Sequence, residues 1–184
     1  MPGTVNVMGS RAVRLTLAVL VVAAGGILAA SATATSRSET DLRTLNHQVL
    51  TAVNAFRAAH GLGQLHESQA LDRSARAHSL EMGKDGYFAH PSADGAAFWR
   101  RIQHYYPARG YSYWSVGENL LWSSPSVSAA GAMKMWIASP EHLRNLLTPR
   151  WREIGVSAVR VVHAPGVFGG RRVTIITTDF GDRS

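Results

Sequence analysis

The apolar spacing of this chain changes character near residue 153, and that change restricts its fold more than any other feature. Before it, apolar residues recur in steps of three and four. Leu42, Leu45, Val49, Val53 and Phe56 form one face of an amphipathic helix, with Gly61 and Gly63 available for its stop. A second helix is predicted from Ser68, with Leu71, Ala75, His78 and Met82 inward and Gly83 and Gly86 closing it. Tyr87 to Gly95 reads as a loop, because Pro91 and Asp94-Gly95 are turn signals. Phe98, Trp99 and Ile102 suit a short helix, and Val116 to Trp122 a strand. Ser126 or Ser128 can cap a helix through Trp136, and Ser139-Pro140 opens a shorter one carrying His142. Ile154 to Val162 and Arg172 to Phe180 are instead rich in β-branched residues, a hairpin with a long loop. Helices first and strands late define an α+β chain, with helices packed on a small antiparallel sheet.

The N-terminus is set apart by composition. Arg11 and Arg14 precede an uncharged apolar run, Leu15 to Ala30, and small residues follow in two A-x-A patterns ending at Ala32 and Ala34. This order is that of a secretion signal, predicted over residues 1–34, with an uncleaved membrane anchor as the alternative. Residues 35–41 read as a flexible polar leader and 42–184 as one domain. Removing 1–34 takes away two arginines and no acid, lowering the formal charge from +7 to +5. About 150 residues can bury roughly 68–70% of their unfolded surface. An exported domain of this size therefore needs no staples, and with no cysteine it has none. The missing cysteines also exclude thiolate metal sites and a cysteine nucleophile. The arginines form no basic stripe with interleaved aromatics, which argues against a nucleic-acid partner.

No G-x-S-x-G, H-E-x-x-H, Walker or G-x-G-x-x-G pattern is present, so several enzyme templates are excluded. Three residues remain as candidates for chemistry. His90 lies in the turn-rich loop, Glu118 stands beside apolar Leu120 and Leu121, and His142 opens a short helix. Two imidazoles and a carboxylate from separate segments can converge as ligands of zinc or another divalent cation, or as an acid/base set. Each can equally bond a backbone group and fix its own loop, and spacing alone favours that role. His78 shares a helix face with apolar residues and reads as a hydrogen-bonded core histidine. His47, His60 and His66 read as surface positions. Glu141 is favoured at a helix start simply by the dipole. The five tryptophans suggest an aromatic-rich core.

Six segments in one order carry a family resemblance. They are Asn54 to Gly61, Ala75 to Ser79, Phe88 to Ser92, Gly117-Glu118-Asn119-Leu120, Met135 to Leu147 and Ile154-Gly155-Val156. From about Leu42 to Gly181 the chain resembles bacterial CAP-domain proteins. That superfamily comprises cysteine-rich secretory, antigen 5 and pathogenesis-related 1 proteins, also called SCP domains. The resemblance implies an α-β-α sandwich with a cleft where His90, Glu118 and His142 match the family's two histidines and its Gly-Glu-Asn glutamate. Many eukaryotic members carry a second glutamate three residues after the helix tryptophan. Here that position is Ser139, and Glu141 does not match it. The resemblance further implies a secreted or envelope-associated binding module, whose cleft holds a divalent metal, a lipid-like small ligand or a partner such as an envelope component. The alternative is a metal-dependent, protease-like hydrolase with Glu118 as general base. A membrane would be met only through an uncleaved N-terminal segment.

Overall fold

The computed structural model describes residues 27–184, with side chains from residue 42 onward. Most of the expected export signal therefore lies outside the described residues. Helix α1 (Ile27–Ala59) runs through the segment expected as a leader and ends at the predicted glycine stop, where Gly61 has a φ of 69°. No described helix is long and apolar enough to cross a membrane. The chain continues through β1 (His66–Glu67), α2 (Gln69–Asp85), α3 (Phe98–Tyr105), β2 (Trp114–Ser123), α4 (Ala129–Ile137), α5 (Pro140–Leu146), β3 (Glu153–Ala164) and β4 (Arg171–Arg183).

The strands form one sheet in the order β1-β3-β4-β2, with the expected β3–β4 hairpin at its centre. The sheet is mixed rather than purely antiparallel, because β1 pairs parallel with β3 through two residues. So short a strand carries no periodicity that a sequence can display. Beyond β1, the outer edge of β3 is met by side chains: Asp72 Oδ1 accepts from Val156 N at 2.8 Å and Asn46 Oδ1 from Ala158 N at 2.7 Å.

Alternation along the strands sends successive side chains into different layers. Leu121, Ile154, Val156, Ile176 and Phe180 pack with Val49 and Val53 of α1, Met133 and Trp136 of α4 and Leu146 of α5. Leu120, Val159, Val173 and Ile175 face the other way, toward Met82 of α2. Leu71 of α2 closes over Ile102 and Tyr106 next to them. The result is a three-layer α-β-α sandwich. Gly155 permits the close approach of α2, since a methyl group there would lie 2.1 Å from the Leu71 carbonyl carbon.

Several local expectations change in detail. Gly83 lies inside α2 rather than closing it, and Gly86 supplies the left-handed cap with a φ of 75°. Ser128 caps α4 through its hydroxyl, which accepts from Gly131 N at 3.1 Å. Of the tryptophans only Trp136 and Trp151 are buried, whereas Trp99 is exposed. A three-residue 3-10 turn, Gly166–Phe168, sits in the hairpin loop.

Candidate functional site

The Gly117-Glu118-Asn119 triplet lies in β2, the edge strand of the sheet, and each residue has a separate physical task. Gly117 leaves room for a neighbour: a methyl group there would meet Asn145 Oδ1 at 2.5 Å and Trp151 Cζ2 at 2.8 Å. Asn119, one residue on from Glu118, points toward α5. Its Nδ2 donates to His142 O at 3.1 Å and its Oδ1 accepts from Asn145 Nδ2 at 3.0 Å. Trp151 Nε1 in turn donates to Asn145 O at 3.0 Å. This chain fixes α5, and with it the position of His142.

Glu118 points into the opposite layer, and its side chain is completely buried. Oε1 bonds His90 Nδ1 at 2.7 Å, which reaches it from the loop before α3. Oε2 accepts from Arg101 Nη2 of α3. The same guanidinium donates through Nη1 to Ser92 Oγ at 2.9 Å and to the His90 carbonyl at 3.3 Å. Arg101 thus holds both the carboxylate and the loop that delivers His90. The His90 side chain is 47% exposed and forms the open rim of the centre.

His78 is a buried core histidine, as its helical face indicates, and Nε2 donates to Ala89 O at 2.9 Å. It also lies 4.0 Å from Glu118 Oε2 and 3.5 Å from Glu81 Oε2. Burial holds its imidazole below the usual range and outweighs the pull of Glu118. Beneath the centre, Asp179 of β4 sits directly across the ladder from Glu118. It is fully buried, with neither oxygen in a well-formed hydrogen bond. Burial first, and the Glu118 charge second, push its carboxyl well above the usual carboxylate range. Desolvation also lowers His142, and the charge of His90 lowers it further.

The structure joins His90 and Glu118 directly, and it places His142 in α5, among the residues that line a separate apolar pocket. A metal held by these three would need Glu118 as a ligand, yet both of its oxygens are already engaged by His90 and Arg101. Among the described residues no group of three or more His, Cys, Asp and Glu side chains is arranged to hold a metal ion. The residues present do not fit the expected divalent-cation centre. As a general base Glu118 would have to act from a fully buried position, with each oxygen already accepting a hydrogen bond. Glu141 is exposed at the first turn of α5, and His47, His60 and His66 are exposed as expected.

Arg101 and Asp179 are the functional neighbours that residue spacing passed over. Arg101 is three residues after Phe98, so it shares a helix face with a core-packing residue. Asp179 is a carboxylate two residues after Thr177 in a β-branched run, which places it on the same buried face. Alongside the centre, on the outer edge of β2, lies an apolar pocket of about 230 Å³. Phe88, Leu120, Trp122, Met135 and Trp136 line it, with His142 at its polar end. A wider depression of about 580 Å³ lies across the sheet between α1, α2 and β3. Polar and apolar groups share its walls about equally, and two of the polar ones, Asn46 and Asp72, are occupied in covering the edge of β3.

A three-layer sandwich with a histidine–glutamate cleft on its edge strand defines a class of domain. The chain belongs to the family described as the cysteine-rich secretory protein, or CAP, family, whose sequence profile matches residues 50–168. It is similar to the uncharacterised protein YkwD of Bacillus subtilis, with 29% identity over 125 residues, covering 68% of this chain and 46% of that protein. The chain thus spans less than half the length of the curated relatives it matches. The fold is shared with an SCP-domain extracellular protein of Bacillus anthracis, at a TM-score of 0.61 and 23% identity, covering 79% of this chain and 42% of that one. It is also shared with an outer surface protein of Borrelia burgdorferi, at a TM-score of 0.56 and 18% identity, covering 73% and 90% respectively.

Proposed function

We propose that this domain is an exported, envelope-facing binding module that takes a small apolar, lipid-like group in the pocket beside β2. One observation carries the reading: the apolar pocket ends at His142, beside a polar centre in which both Glu118 oxygens are already engaged. Small-molecule sites commonly combine an apolar lining with a few placed polar groups. Here Leu120, Trp122 and Trp136 would receive the chain or ring, and His142 with His90 at the rim would meet its polar end. The pocket is too small to enclose a whole lipid, so a single chain or ring is the expected occupant. The N-terminal composition and the extracellular and surface-exposed relatives support the proposed location.

The test uses the tryptophans of the pocket as reporters. Titration with a single-chain fatty acid should change their fluorescence saturably. Met135→Glu places a charge on an exposed wall residue without disturbing the core, and should weaken binding at least about tenfold, as a few kcal/mol of lost apolar contact would. Equal affinity in parent and variant, or no saturable signal with single-chain lipids, would remove the proposal.

A further inference from the structure

We infer that the cation of this cleft is Arg101 itself: its guanidinium takes the place that a divalent ion would need beside Glu118. Three observations converge on this. The Arg101 side chain is only 8% exposed, and Nη2 is spent on the Glu118 carboxylate. Nη1 is spent on Ser92 Oγ and the His90 carbonyl, so the guanidinium is built into the loop that carries His90. The remaining Glu118 oxygen is bonded to His90 Nδ1, so neither carboxylate oxygen is without a protein partner.

The charges around the centre agree with a single resident cation. From α2, His78 is kept toward neutrality by burial, and Glu81 accepts from Tyr87 OH at 2.5 Å. From β4, Asp179 is driven toward its neutral acid by burial, and from α5 His142 is driven toward neutral imidazole. Within the centre, Arg101 and Glu118 form a direct ion pair with both side chains largely buried. A divalent ion brought in beside an immobile guanidinium would meet strong repulsion in this weakly screened interior.

This inference is independent of the apolar pocket, because it concerns only the polar centre. Calorimetric titration with zinc chloride tests it directly, on the parent, Arg101→Met, Arg101→Gln and the double variant Arg101→Met/His90→Ala, with circular dichroism to verify folding. The parent should show no one-equivalent binding that depends on His90. A folded Arg101→Met or Arg101→Gln should bind zinc at least about tenfold more tightly than the parent, and His90→Ala should remove that gain. One-equivalent binding by the parent that His90→Ala abolishes overturns the assignment. So does a folded Arg101 variant with no gain in zinc affinity. If neither Arg101 variant folds, the parent compared with its own His90→Ala variant decides in the same terms: His90-dependent binding refutes the resident cation, and its absence upholds it.

Discussion

The two faces of the sheet bury polar side chains in different ways. Under α1, α4 and α5 those groups bind backbone. Arg57 is completely buried, yet it donates to the carbonyls of Gly63 at 3.0 Å, Leu146 at 2.8 Å and Thr148 at 3.0 Å. It thereby ties the end of α1 to the end of α5. Asn119 and Asn145 do comparable work with neutral amides. Under α2 and α3 titratable side chains gather instead: Glu118 bonds His90 and Arg101, with His78 and Asp179 buried beside them. The first face uses polarity to hold the frame. The second keeps titratable groups beside an opening, and that is where binding chemistry can reside.

The largest effect that would test this contrast is expected on the framework face. Arg57→Ala removes a buried charged donor from three carbonyls, of which that of Leu146 is fully buried, and should cost about 3 kcal/mol. Urea unfolding measures it, and ligand binding at the β2 pocket should survive wherever the variant stays folded. A cost below about 1 kcal/mol would erase the distinction between the two arginines' surroundings.

A change of pH should act mainly on the other face. Asp179 has its folded pKa raised above 3.8, so the folded state keeps a proton that the unfolded chain has released. Its contribution to stability therefore falls as pH rises above about 4. Asp179→Asn lacks that titration. Relative to the parent it should gain about 1.4 kcal/mol per pH unit across the window, up to the folded pKa. Parallel stability–pH curves for the two proteins would show that the carboxyl is not protonated in the fold.

The smallest expected effect concerns the strand shared by both faces. Asn119→Ala removes the side-chain bonds to His142 O and Asn145, at about 1–2 kcal/mol. Because those bonds position α5, the affinity of the β2 pocket for a single-chain lipid should fall as well. Unchanged affinity would mean that α5 holds His142 in place without them.

Much of this architecture could be read from the residues. Helical spacing from Leu42 to Phe56, the Ser68 start of α2 and the β-branched tail each report local structure, and each element was found. The resemblance supplied the layers, and the oddity of a carboxylate beside Leu120 pointed to Glu118. What could not be read is which side chains meet. Arg101 and Arg100 look alike in sequence, and only the rotation of α3 about Ile102 turns one inward. Asp179 meets Glu118 through strand register, which is decided by long-range pairing. The metal reading meets the same limit: residue types can propose a ligand set, but only the fold shows that His90 and Arg101 already hold both Glu118 oxygens.

The side chains along the margins of the sheet carry a further consequence. Asp72 and Asn46 accept two amides on the β3 margin, and on the β2 margin Trp136 Nε1 donates to Leu120 O at 3.1 Å. Exposed strand margins invite pairing with neighbouring chains, a hazard that natural sheets suppress. Here the molecule blocks both templates with its own side chains. A concentrated population of such domains, without disulfides to restrain them, thereby has fewer routes into fibrous aggregates.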